Sequence, residues 1–252
     1  MNKVLLNVVI LSMVADMAVA QERELGITFD LTYMSKWMSK GAEAYGQQGA
    51  VFETIDIDYF GTGFGTKVVH RSATSSGYVD NRRFDYRPYF YNRAFEDTPY
   101  TTNYNISVGY EHYYGLARNR ANTTYEWIFA FSWPNLLPKG IVPKYIAHYE
   151  YPAGSNYDFA FITGWVHRFG LGYDIDLSCL PSPLHASWEI AYTDGLGGAS
   201  HDWSYTTFGV STGLEVTDNL LFVPGVYHQI SMDDSVSKRD VTYTMLSMKY
   251  RF

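Results

Sequence analysis

The chain is poor in the residues on which most disulfide scaffolds and metal sites depend. One cysteine in 252 residues excludes an internal disulfide and any metal site built from several cysteines. That residue, Cys179, stands in Leu177-Ser-Cys-Leu-Pro-Ser-Pro183, which reads as a turn carrying an inert thiol. Charged residues make up only 18%, and a net charge of -7 excludes the basic surface that nucleic acid demands. Beyond residue 20 no run approaches the eighteen or more apolar residues of a spanning helix. No Pro/Gly/Ser-rich linker or charge run divides the chain, so one domain is expected.

Aromatic residues are what the chain has in excess: 23 Tyr, 15 Phe and 6 Trp, 17% of the total. That balance suits a protein with aromatic girdles at two lipid–water interfaces. The amino terminus adds an export signature. Met1-Asn-Lys3 is positive, 4–14 is mostly apolar, and Ala18-Val-Ala20 is a small-x-small cleavage site. Residues 1–20 are therefore expected to be a signal peptide, leaving 21–252 as the mature barrel.

Between turn clusters the sequence alternates apolar and polar residues with period two, the signature of half-buried strands. Twelve segments result: 27–37, 51–60, 64–72, 83–92, 102–112, 124–133, 143–151, 159–177, 184–192, 205–216, 220–230 and 241–252. The fourth is the weakest because Pro88 removes a ladder donor, and without it the count falls to ten. Even strand number with both ends on the inner side places 38–50, 73–82, 115–122, 195–201 and 232–239 in outer loops. The expected fold is all-β: a transmembrane antiparallel up-and-down barrel in the cell outer membrane.

Parity divides each segment into a lipid face and a lumen face. In 124–133, Tyr125, Trp127, Phe129, Phe131 and Trp133 share the outward side. In the last segment Leu246, Met248, Tyr250 and Phe252 do. A final aromatic strand of this kind also looks like the signal read by the barrel-assembly machinery, so these four are the expected assembly residues. The inward parity collects Asp30, Lys36, Asp56, Asp58, Lys67 and Arg71, then Arg83, Asp85, Arg87, Arg93, Glu111 and Glu126. It continues with Lys144, His148, Glu150, Arg168, Asp174, Asp176, Glu189, Lys249 and Arg251. All of these except Lys36, Arg83, Asp85, Arg93, Lys144 and Asp176 are candidates to line a wet passage. Both signs occur in comparable number, which gives no support to strict selectivity for one. So many charges must be paired or hydrated, since an unpaired buried ion costs several kcal/mol.

Catalytic patterns are weak. None of the seven His stands in a His-Glu-x-x-His arrangement. Gly209-Val-Ser-Thr-Gly213 has the letters of a nucleophile elbow but lies within an expected strand, where no helix follows. His201-Asp202 with Asp194 reads as a polar outer loop. Gly61-Thr-Gly-Phe-Gly65 reads as a turn between strands rather than a phosphate loop. Met34, Trp37 and Met38 read as an interfacial anchor. No catalytic residue, metal or cofactor is expected.

The segments Tyr33-Met-Ser-Lys-Trp-Met-Ser-Lys-Gly41, His167-Arg-Phe-Gly-Leu-Gly-Tyr-Asp174 and Ala191-Tyr-Thr-Asp-Gly195 resemble a conserved-hypothetical family of bacterial outer-membrane, porin-like barrels. Relatives usually carry an aromatic, a basic residue and Gly after the first strand, with Arg-Gly where this chain has Lys40-Gly41. The resemblance implies a barrel and transfers no activity to any residue. The expected function is a narrow porin-like channel for passive passage of small hydrophilic solutes. A closed structural or surface-binding barrel is the alternative, and a lipid-directed enzyme ranks third. Expected partners are outer-membrane lipid, the barrel-assembly machinery and small hydrophilic solutes.

Overall fold

The computed structural model describes residues 24–46, 48–75, 82–114, 123–153 and 163–252. The expected signal peptide, most of the outer segments 73–82 and 115–122, and the portion 159–162 of the eighth segment lie outside the described residues. Twelve long strands form the wall. The first six are β1 (Gly26–Met34), β2 (Ala50–Asp58), β3 (Phe64–Ala73), β4 (Arg82–Ala94), β5 (Thr102–Tyr114) and β6 (Thr124–Ser132). The others are β7 (Val142–Pro152), β8 (Gly164–Ile175), β9 (Leu184–Asp194), β10 (His201–Thr212), β11 (Leu220–Ser231) and β12 (Val241–Arg251).

Each strand pairs antiparallel with the next, and β12 pairs with β1 from Thr28↔Arg251 to Met34↔Met245. That last ladder closes the sheet and leaves no open edge. At the inner end of the seam the Phe252 N–H donates to the Ile27 carbonyl at 3.1 Å. The weak fourth segment is a full strand. Thr66↔Pro88 is in register on one side, while on the other no bridge forms between Tyr86↔Tyr110 and Tyr89↔Ser107. The missing donor of Pro88 thus costs a local gap in one ladder and not the strand.

The period of two sorts the residues onto two faces as expected. Ile55, Phe169, Phe208, Val226, Leu246 and Met248 are exposed on the outward face. Imidazoles there find oxygen partners, which a bilayer-facing polar group requires. His70 contacts Glu53 at 2.5 Å and the Tyr114 hydroxyl at 2.6 Å, His167 contacts the Tyr145 hydroxyl, and His228 contacts Thr242.

Several boundaries differ from the sequence reading. The tenth strand starts earlier, at His201, and breaks at Gly213 before a short continuation over Leu214–Thr217. The eighth ends at Ile175, so Asp176 falls in the turn. The first ends at Met34, three residues short of Trp37, and the segment after it requires the main correction. The expected outer loop 38–50 does not project outward. Residues 35–46 and 48–49 fold back into the barrel mouth, with Met38–Ser39 paired to Ala42–Glu43 as a small hairpin. Trp37 is not an interfacial anchor: it is 4% exposed, packed inside against Tyr45, Ala50, Phe52 and Val69. An indole gains more from burial among these inward apolar groups than from a half-wet interface.

Close packing makes one prediction. A Cβ on Gly65 would lie 2.3 Å from the Tyr89 ring and 2.6 Å from the Ile57 carbonyl oxygen, whereas on Gly213 the nearest atom is 3.4 Å away. Gly65→Ala should therefore destabilise the barrel by about 1–3 kcal/mol through overpacking, and Gly213→Ala by much less. Urea midpoints of detergent-folded protein check this, and equal midpoints for the two variants would contradict the packing.

Candidate functional site

The inward parity brings side chains from seven neighbouring strands to one level, where they form a belt of ion pairs. Arg71 on β3 meets Asp85 on β4 at 2.5 Å. Arg83 spans Asp85 at 2.6 Å and Glu111 on β5 at 2.7 Å, and also donates to the Tyr113 hydroxyl. Arg87 contacts Glu126 on β6 at 2.6 Å and Glu111 at 3.5 Å. His148 on β7 contacts Glu126 at 3.0 Å, and Arg168 on β8 donates to its other ring nitrogen at 3.3 Å. With Nε2 accepting from Arg168, Nδ1 carries the proton and donates to Glu126. Arg168 then pairs with Glu189 on β9 at 2.8 Å, and the Tyr205 hydroxyl on β10 donates to Glu189.

These groups are deeply buried: Asp85 is 0%, Glu111 1%, Glu126 2% and Arg83 3% exposed. Removing one partner from such a network leaves an uncompensated charge and costs about 3–5 kcal/mol. The belt is therefore stable only as a whole.

Loop 35–49 completes it from the far side of the barrel. The Lys40 ammonium contacts Glu126 at 2.9 Å and also pairs with Glu150 on β7. Next to it, the Gly41 carbonyl accepts from the Gln229 amide on β11 at 2.7 Å. Gly41 has φ +90, and a Cβ there would fall 2.3 Å from the Tyr205 ring, so only glycine fits the turn. Glu43 pairs with Arg239 at 2.6 Å. At the base of the loop, the guanidinium groups of Arg71 and Arg83 each lie 5.2 Å from the Trp37 ring. Such cation–π contacts strengthen when desolvated.

The loop divides the interior. On its outer side a cavity of about 390 Å³ is lined by Trp37, Lys40, Tyr45, Arg83, Tyr113 and Glu150 among others. Beneath it, a space of about 230 Å³ is bounded by Lys40, Arg168, Glu189, Tyr205, Gln229 and Tyr243. Two larger recesses of about 620 and 580 Å³ lie toward the inner end, with Asp56, Lys67, Arg87 and Tyr89 in one and Arg93, Asn103 and Lys144 in the other. Lys40 borders the first two spaces at once.

Of the residues named from sequence, Arg71, Arg87, Glu111, Glu126, His148, Glu150, Arg168 and Glu189 meet in the belt. The remainder sit nearer the inner end in separate pairs. Asp56 contacts Lys67 at 3.1 Å, Asp58 accepts from Tyr91, and Asp174 contacts His185 at 2.6 Å. Asp30 accepts from Ser247 at 2.8 Å and lies 3.9 Å from Lys249. Arg251 is opposite Thr28 at the seam. Lys40, Trp37 and Gln229 were not among the candidates. The sequence signal that bears on Lys40 is the Lys-Gly pair in the family resemblance.

The catalytic patterns do not converge. His201 does contact Asp194, but Ser211 lies ten residues along β10, opposite His185 and Gly225. At about 3.3 Å per residue that is roughly 30 Å away. Gly209 to Thr212 run straight within β10, so no elbow forms.

Solved structures share this architecture. The barrel is similar to the KdgM porin, with a TM-score of 0.55 at 12% identity, covering 89% of this chain and 99% of that one. It is similar to the NanC porin at a TM-score of 0.55 and 8% identity, covering 89% and 100%. An outer membrane channel from Pseudomonas putida aligns at 0.51 and 9% identity over 93% and 98%. The chain has the fold of outer-membrane porins. No family model matches the sequence, and no curated protein does.

The ammonium of Lys40 has an unusual setting. Burial alone would lower its pKa, but Glu126, Glu150 and Glu111 outweigh that and hold it well above the ordinary 10.5. With the folded value raised, the stability Lys40 contributes is fully present below 10.5 and is lost only as pH rises through the higher folded value. An amine acylates only when deprotonated. At pH 9.5 Lys40 of detergent-folded protein should therefore label at least about tenfold more slowly than exposed Lys238, one pKa unit being a factor of ten. Equal labelling, followed by mass spectrometry, would put the ammonium in water.

Proposed function

We propose that the protein is an outer-membrane channel for passive passage of small hydrophilic solutes, entering through the outer cavity and leaving through the inner recesses. The observation that carries this reading is a polar, charge-lined interior with cavities on both sides of a single constriction, inside a porin-type wall. The sequence-named lumen residues line the path: the belt sets its width, and Asp30, Asp56, Asp58, Lys67, Asp174, Lys249 and Arg251 line its inner half. One KdgM porin structure is described in complex with disordered oligogalacturonate, itself a hydrophilic solute. Membership of the conserved-hypothetical family of porin-like barrels and export by a cleaved signal over residues 1–20 belong to the same proposal.

The inserted loop favours a second reading, a barrel closed at rest. Planar-bilayer recording separates the two. The channel reading expects discrete, small conductance steps from refolded protein. Silence from protein that shows strand-rich circular dichroism and heat-shifted gel migration would leave the closed barrel.

We further propose that Leu246, Met248, Tyr250 and Phe252 act in recognition by the barrel-assembly machinery. Phe252 is 78% exposed, and among the described residues its close ring contact is with Tyr250 at 4.9 Å. Packing thus gives it little to do, and a charge near the interface on the lipid face costs only about 0–1 kcal/mol. Phe252→Asp should nevertheless reduce the membrane-embedded fraction in cells far more than Arg251→Gln. Equal membrane levels for Phe252→Asp and the parent would refute the signal role, and an equally severe defect in detergent refolding would assign Phe252 to packing.

A further inference from the structure

Glu126 and Glu150 stand directly opposite each other on β6 and β7, both on the inward face. Like charges in that cross-strand position repel, so the pair needs a cation shared between them. The neighbouring acidic pair, Asp85 opposite Glu111, has the same geometry but is served by the wall itself, through Arg83. Glu126 also draws on the wall, through Arg87 and His148. Glu150 does not. Among the described residues its ion-pair partner is Lys40, which reaches it from a loop 110 residues away in sequence.

We infer that the Glu126–Glu150 pair is a receptor for a primary ammonium group, occupied at rest by Lys40 of the chain's own loop, and that ammonium-bearing solutes exchange with Lys40 as they pass. This rests on the channel reading above. Lys40 borders both the outer cavity and the space beneath the loop, so a solute arriving from outside meets the occupied receptor first. An ammonium has three N–H donors and no acceptor, which matches two carboxylates that accept from one nitrogen. The exchange requires only that one side chain yield its place. The loop's hold on Gln229 and Arg239 and its Trp37 cluster can remain.

The charge balance of the belt states the same dependence. With Lys40 in place, Lys40, Arg71, Arg83, Arg87 and Arg168 face Asp85, Glu111, Glu126, Glu150 and Glu189, equal in number. Without Lys40, four cations face five carboxylates. The vacated belt carries a surplus negative charge at Glu150 and attracts cations in a low-dielectric surround.

The test compares the parent, Lys40→Gln and Lys40→Gln/Glu150→Gln in planar bilayers under a potassium chloride gradient. Heat-shifted migration first verifies folding, and Lys40→Met replaces Lys40→Gln if the latter does not fold. Cadaverine supplies the ammonium probe, and tetramethylammonium supplies the same kind of charge without N–H donors. Lys40→Gln should conduct severalfold more than the parent and shift its reversal potential toward potassium. Cadaverine should reduce that current while tetramethylammonium at equal concentration does not, and Glu150→Gln should abolish both the cation shift and the cadaverine effect. Unchanged selectivity in Lys40→Gln, equal effects of the two amines, or persistence of the cadaverine effect without Glu150 would each overturn the receptor. If no variant conducts, the channel reading fails, and calorimetry on the same detergent-folded proteins decides the receptor by itself. Cadaverine binding to Lys40→Gln but not to the double variant upholds it, and no binding to Lys40→Gln overturns it.

Discussion

The constraint on which everything else rests is that a backbone facing lipid must find all its hydrogen-bond partners within the protein. Twelve strands meet it by closing on themselves, and the pairing of β12 with β1 is the last ladder in that ring. Once the ring is closed, the pleat assigns every second residue to one solvent and the rest to another. An outward Phe208 or Met248 and an inward Glu189 or Lys249 are then consequences of one geometry. Even Pro88 is tolerable, because the strand keeps its full ladder on the β3 side.

The inner solvent sets the second condition. A lumen too narrow to hydrate every ion freely must pair its charges, and the pairs must themselves be placed by the strands. Asp85 with Glu111, and Glu126 with Glu150, put carboxylates side by side, so guanidinium and ammonium groups are drawn between them. Arg83 and Arg71 then bring their guanidinium groups over Trp37, and the loop that carries Trp37 acquires a fixed position. Electrostatic need in the wall thus organises a segment with little regular structure of its own inside the barrel.

Much of this was legible in the sequence because period two is a strong local signal. The strand set, the inward parity of Glu111, Glu126 and Arg168, and the outward aromatics of β6 follow from it. Depth along the axis does not. Arg83 and Asp85, set aside as candidates, are at the centre of the belt, since parity reports a side and never a level. The loop was misjudged for a related reason. Met34, Trp37 and Met38 near a strand end have the composition of an interfacial anchor, and only contacts with β3, β4, β6 and β7 reveal that the loop turns inward. A contact made across roughly a hundred residues leaves no periodic trace.

Those long separations have a topological meaning. The loop leaves β1, the first strand of the wall, yet three of its holding points are Gln229 on β11, Arg239 beyond it and Thr244 on β12, 188 to 209 residues later. None of these lies beside the loop unless β12 is paired with β1. The seat of the loop and the seam of the barrel are therefore completed by the same event. A chain caught before that event has both an open edge and an open mouth, and one step closes the two together.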